Sequence, residues 1–250
     1  MDGGQRFGVC SRMSDSSDYT PDEIMTIAAA RTFKNRATCF VGVGLPSVAA
    51  CLARALHAPD IVLVYESGAV GSKPARPPLS IADGELADTA DFVVSVPEMF
   101  SYWLQGRRID MGFLGAAQID RFGNVNSTVI GNYGSPKVRL PGAGGAPQIA
   151  RCSREIVVVL RQTPRSFVAQ LDFLTTARCQ GLTTVISDLG IFEMDPVTAE
   201  LKLTSCHPAV TVARVREATA WPLKTADLVG ETPLPTPLEL SVLRGLNAGA

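Results

Sequence analysis

Short apolar, β-branched runs recur along this chain at residues 38–41, 61–65, 92–96, 109–114, 156–160 and 183–187, and each reads as a buried strand. Helical signals stand between several of them. Thr20-Pro21-Asp22-Glu23 supplies an N-cap, a first-turn proline and acids at the positive end of a helix, which the pattern carries to Lys34. An alanine-rich helix follows over 46–56, and another over 97–105. Strands alternating with helices predict βαβ units, so the fold class is α/β: an open, mostly parallel sheet with flanking helices.

The second half changes character. Residues 131–147 are rich in glycine and proline, 191–194 and 199–203 read as a β-hairpin turning at Asp195-Pro196, and 210–218 as a helix. Pro74, Pro77 and Pro78 exclude regular pairing in a loop over 68–78, and an irregular tail is expected from 233 onward. There is no internal repeat and no linker. Residues 1–18 are expected to be a disordered lead, with Met13 as an alternative start, and 19–250 a single domain.

Composition narrows the function classes. The 250 residues are 46% hydrophobic, enough for a substantial core, and 23 basic residues nearly balance 24 acidic ones, which argues against a nucleic-acid partner. No run approaches the roughly 18 apolar residues of a membrane span. The six cysteines, Cys10, Cys39, Cys51, Cys152, Cys179 and Cys206, are scattered without a Cys-x-x-Cys pair, as in a reducing cytoplasm. With only His57 and His207 available, no metal site is expected; His57 reads as a helix-end residue and His207 as a loop residue before Pro208.

Chemistry concentrates in four places. Glu66 ends an apolar strand and is followed at once by Ser67 and Gly68; strand ends of an open sheet face the ligand crevice, where a carboxylate can act as nucleophile, base or ligand. Gly42-x-Gly44-x-x-Ser47 has the start of a dinucleotide fingerprint, with Glu66 where a ribose-binding acid would stand, but the third position is Ser47; a tight βα turn is the plainer reading. Leu140-Pro-Gly-Ala-Gly-Gly-Ala-Pro147 frees successive N–H groups to hold an anion, or is a flexible surface connection. Residues 115–127 read as a strand, a turn at Gly123-Asn124 and a second strand.

Together these segments resemble the small (β) subunit of the family I coenzyme A-transferases, most closely the glutaconate type. The likeness runs through Gly42-Val-Gly-Leu-Pro46, Ala58-Pro-Asp60, Glu66-Ser-Gly68, residues 115–127 and Gly142-Ala-Gly-Gly-Ala146, and weakens after Ile191. It implies that Glu66 is the catalytic nucleophile and that Gly142, Gly144, Gly145 and Ala146 form a loop beside the thioester. It places Ser67, Gly68, Gly42, Gly44 and Gln118 at the substrate. It further implies a coenzyme A-transferase α subunit as partner, in a heterodimer or heterotetramer, acyl-CoA and a carboxylic acid as substrates, and coenzyme A as substrate with no cofactor.

The implied route is ping-pong, through an acyl-glutamyl anhydride and a glutamyl-CoA thioester on Glu66. Relatives of this fold that lack the glutamate are hydrolases or decarboxylases, and a glutamate can also activate water, so an acyl-CoA hydrolase or decarboxylase is the alternative, with a dinucleotide-dependent oxidoreductase behind it. Lys73, Arg76, Lys137 and Arg139 flank the motif loops and could meet the far carboxylate of a dicarboxylic acyl group, but the plainer reading of each is a solvated surface charge or a contact to a CoA phosphate.

Overall fold

A computed structural model describes residues 19–178 and 181–248. The expected lead at 1–18, Met13, Cys10 and Cys179 lie outside the described residues. The chain runs α1 (Pro21–Ala30), β1 (Thr38–Val41), α2 (Leu45–Leu56), β2 (Val62–Val64), β3 (Ala69–Val70), α3 (Gly84–Asp88), β4 (Phe92–Val93) and α4 (Val96–Glu98). A π-helix, Met99–Gln105, continues α4 without a break. Then follow β5 (Met111–Gly115), β6 (Gln118–Ile119), β7 (Val125–Asn126), β8 (Val129–Gly131), β9 (Pro136–Arg139), α5 (Ala146–Cys152), β10 (Glu155–Val159) and β11 (Leu182–Ile186). The last elements are β12 (Gly190–Met194), β13 (Leu201–Cys206), α6 (Val212–Glu217), β14 (Lys224–Glu231) and α7 (Pro237–Ala248).

Ten strands form one sheet in the order β14-β13-β12-β11-β10-β5-β1-β2-β3-β4. The centre, β11-β10-β5-β1-β2, is parallel, while β3 and β4 on one side and β12 on the other pair antiparallel. The predicted hairpin is β12–β13, turning at Asp195, whose carboxylate accepts the N–H groups of Val197 and Thr198 at 2.9 and 3.0 Å. Alternation along the strands divides the core between two faces. Cys39, Val41, Leu63, Val157 and Val159 pack against α1, α2 and α7, whereas Phe40, Val64, Ile156 and Val158 face the π-helix and α5.

Two expectations need correction, and two stretches form elements beyond those expected. The tail after 233 is not irregular: Thr236 and Glu239 form a reciprocal cap (Glu239 Oε2 accepting from Thr236 N–H at 2.7 Å, Thr236 Oγ1 from Glu239 N–H at 3.2 Å) that starts α7. Arg31 clamps this helix, donating from Nε and Nη2 to the two oxygens of Glu239 at 2.7 Å each and from Nη1 to Pro233 O at 2.7 Å. Helix α1 stops at Ala30, where Arg31 caps it and the next N–H groups bond back three residues. The glycine- and proline-rich 131–147 segment contains β9 and leads into α5, and Lys224–Glu231 adds an edge strand. Among the described residues no helix is long and apolar enough to cross a membrane.

Candidate active site

The sheet places a crevice where the strand order reverses. From β1 the chain crosses through α2 to β2 on one side, then returns through β3 and β4 to β5 on the other, so the carboxyl ends of β1 and β5 diverge there. Gly42 N–H donates to Phe113 O at 3.2 Å, the last bond joining the two strands; a Cβ on Gly42 would stand 3.3 Å from that same oxygen. Above it opens a cavity of about 480 Å³, walled by Gly42, Phe113, Ala117, Pro141, Gly145 and Glu66 among others.

Glu66 reaches this cavity through a tight turn, not through the long loop expected after it. Gly68 N–H closes back on Tyr65 O at 3.0 Å, and Tyr65 N–H on Ala69 O at 3.0 Å, so β3 folds directly against β2. Gly68 makes this possible with φ +102°, and a Cβ there would collide with the Val94 carbonyl oxygen of the neighbouring strand end. The carboxylate so presented is half-buried, and among the described residues it accepts no hydrogen bond and forms no ion pair.

The glycine loop approaches it from the other side. Ser127 holds the loop's start, donating from Oγ to Gly142 O at 2.8 Å while Gly142 N–H donates to Ser127 O at 2.9 Å. Gly142 and Gly144 take φ +100° and +47°. The loop ends in α5, where Gly145 O accepts from Gln148 and Ile149 at 3.0 and 2.9 Å. Ideal Cβ positions on Gly144 and Gly145 lie 3.6 Å from Glu66 Oε2 and 3.4 Å from Glu66 Cδ, so a methyl group at either position would be in van der Waals contact with the carboxyl group. The N–H groups of Ala143, Gly144 and Gly145 have no protein acceptor among the described residues.

The structure thus brings Gly42, Glu66, Gly142, Gly144, Gly145 and Ala146 to one cavity. It leaves four other expected substrate residues off its walls. Gly68 forms the turn, Gly44 starts α2 with φ +89°, and Ser67 does not line the cavity. Gln118 is buried and spent on the fold: Nε2 donates to Asp172 Oδ2 at 3.1 Å, and Oε1 accepts from Asn126 Nδ2 at 2.7 Å and Asp172 N–H at 3.1 Å. Ser47, the misfit of the dinucleotide fingerprint, donates from Oγ to Gly42 O at 2.9 Å and so fastens the β1 turn to α2.

The flanking cations are also elsewhere. Lys73 pairs with Asp91, Arg76 with Glu85 at 3.4 Å, Arg139 donates to Tyr133 O at 3.1 Å over the Tyr133 ring, and Lys137 packs beside Gly131. Among the described residues no thiol lines the cavity; Cys39 and Cys51 are buried, and burial pushes their thiols up, that of Cys51 to about 11. His207 is not a free loop residue; its Nε2 lies 2.8 Å from Ser187 O and its Nδ1 3.0 Å from Thr232 Oγ1, and burial holds it below the usual imidazole range. The expected set also lacks apolar wall residues such as Phe113 and Pro141, the Ser127 clamp, and Phe100, which stands behind Gly145 without lining the cavity. Ser127 ends a motif and is legible there, whereas nothing local marks Phe100.

Comparison with known proteins gives the arrangement a setting. The chain matches the coenzyme A transferase family over residues 22–218. It is 54% identical over 246 residues to one of the subunits of 3-oxoadipate CoA-transferase from Pseudomonas knackmussii, covering 93% of this chain and 95% of that one. The crystal structure of glutaconate coenzyme A-transferase from Acidaminococcus fermentans superposes with a TM-score of 0.82 at 28% identity, over 91% of this chain and 94% of that one. The decarboxylase AibA/AibB superposes with a TM-score of 0.81 at 29% identity, over 91% and 94%.

Proposed function

The chain belongs to the coenzyme A transferase family, and we propose that it is the β-type subunit of a two-subunit enzyme that carries CoA from an acyl-CoA to a dicarboxylic oxo acid of the 3-oxoadipate class, through a thioester on Glu66. The observation that carries this reading is the unpaired Glu66 carboxylate set against free backbone N–H groups at the cavity. The acceptor class and the need for a second chain come from the relative at 54% identity, which is itself a single subunit of 3-oxoadipate CoA-transferase.

In the first half-reaction a Glu66 oxygen adds to the thioester carbonyl carbon, the C–S bond breaks, and CoA leaves as thiolate, giving a mixed anhydride. The thiolate then adds to the Glu66 δ-carbon; the anhydride C–O bond breaks, the donor acid departs as carboxylate, and glutamyl-CoA is left. The acceptor carboxylate repeats both steps in reverse and frees Glu66. Each addition puts negative charge on a carbonyl oxygen. The unbonded N–H groups of Gly144 and Gly145 are the candidate donors to it, and one such donor contributes about 3–4 kcal/mol. Among the described residues Glu66 is the one ionisable side chain on the cavity wall. The wall therefore suits the aliphatic part of the acyl group.

Assembly of this chain with its α-type partner, assayed for transfer from a panel of acyl-CoA donors, tests the reading. Acyl-CoA of 3-oxoadipate should form in step with donor loss. Release of free CoA at the same rate with and without acceptor would point instead to hydrolysis.

A further inference from the structure

We infer that Phe100 is a positioning residue for CoA transfer: its ring edge sets the Gly144–Gly145 backbone against Glu66 and so aims the two N–H groups at the attacked carbonyl. This rests on the transferase reading of the site. The starting point is an unusual element. Met99–Gln105 is a seven-residue π-helix, a form that is rare because its wide turn packs poorly, and that is mostly found as single turns at functional sites. Its ends are fixed, since Met99 and Leu104 are fully buried in the core beneath the sheet. Between them Phe100 is only partly buried and faces the glycine loop.

The packing there is close enough to dictate the residue opposite. The point where a Cβ on Gly145 would stand is 2.8 Å from Phe100 Cζ, 3.0 Å from Phe100 Cε1 and 3.4 Å from Glu66 Cδ. Ring edge and carboxyl carbon therefore flank one point, and any side chain on Gly145 would have to displace the ring. The loop is held by Ser127 at Gly142, by a turn bond from Ala146 N–H to Ala143 O at 3.0 Å, and by the first turn of α5 at Gly145. The N–H groups of Ala143, Gly144 and Gly145 themselves have no acceptor among the described residues. The ring adds a wall on the side-chain face of Gly145 that these bonds do not supply. A small error of aim at such a position costs rate, not binding.

The test is a size-exchange cycle in the assembled two-subunit enzyme, with turnover expressed per Glu66 that can be trapped as a CoA adduct. Phe100→Leu removes the Cζ and Cε1 contacts and should lower kcat about 10- to 100-fold while KM for acyl-CoA moves less than about threefold. Gly145→Ala should lose more, on the order of 100-fold or beyond, because its Cβ meets the ring. The double variant should regain at least about fivefold over Gly145→Ala, since leucine vacates the space that the new methyl needs. A purely structural role for Phe100 would reduce the trappable fraction or the melting temperature and leave kcat per trapped site unchanged.

An active wild type in which Phe100→Leu keeps wild-type kcat per site, or in which the two losses simply multiply, overturns the inference alone. A wild-type complex that transfers no CoA overturns the inference together with the transferase reading. Should Gly145→Ala fail to assemble, Phe100→Leu by itself still decides.

Discussion

Glu66 and Gly145 meet at the mouth of the cavity: a Cβ on Gly145 would stand 3.4 Å from the Glu66 carboxyl carbon, although 79 positions separate the two in the chain. The contact joins the turn after β2 to the start of α5, on opposite sides of the crevice made by the diverging strands. On the proposed reading, a carbonyl formed on Glu66 would stand beside this loop.

Gly144→Val should therefore abolish turnover while sparing the fold. Gly144 has φ +47°, which a β-branched residue resists, and its Cβ would point at the two Glu66 oxygens from 3.6 and 3.7 Å. Loss of one aimed donor predicts a fall in kcat of roughly 10²–10³-fold. Steady-state kinetics of the assembled variant, beside its circular dichroism, checks this; a folded variant within about tenfold of wild type would contradict it.

Gly68→Ala is expected to fail differently. The new methyl collides with the Val94 carbonyl and is placed at φ +102°, so the turn carrying Glu66 cannot keep its shape. Destabilisation on the order of 3 kcal/mol should appear as a lower denaturant midpoint, with activity lost in proportion to the unfolded or misassembled fraction. An unchanged midpoint would show that the turn has room.

The clamp on α7 makes an acid-dependent prediction. Burial raises the Glu239 pKa, but the Arg31 fork and the Thr236 N–H outweigh burial and hold it at about 2. A carboxylate with a folded pKa below its unfolded one stabilises the fold above the unfolded value, near 4.3, and that contribution is lost as the pH falls towards 2. Glu239→Gln should cost on the order of 1–2 kcal/mol at pH 7, and the gap to wild type should narrow steadily below about pH 4.5. Chemical denaturation at pH 7, 5, 4 and 3 measures it; a constant gap would place the stabilisation elsewhere.

These cases show what the sequence exposes and what it hides. Glu66 and the 142–146 loop are legible because an acid at a strand end and adjacent glycines are local signals. Gln118 sits inside an equally good motif, yet its amide is consumed by Asn126 and Asp172, and the Asp172 partnership spans 54 positions that no local pattern announces. Helix α7 has a readable start, since Thr236-Pro237-Leu238-Glu239 repeats the cap of Thr20-Pro21-Asp22-Glu23, but the prolines at 233 and 235 suggest a tail. The apolar pattern over 97–105 signals a helix without telling an α turn from a π turn, which is why Phe100 carries no mark. Strand β14 lacks clean alternation because it lies at the sheet edge and much of it is exposed.

The most direct test of the account is the chemical state of Glu66 during turnover. The assembled enzyme, given acyl-CoA without acceptor and then borohydride, should lose activity, and peptide mass analysis should find Glu66 reduced to the alcohol, because borohydride attacks a thioester and leaves a carboxylate intact. Enzyme treated without donor, and the Glu66→Gln complex, should show no such change. If Glu66 stays unmodified while donor is consumed at the normal rate, the carboxylate is not the nucleophile and the cavity activates water instead.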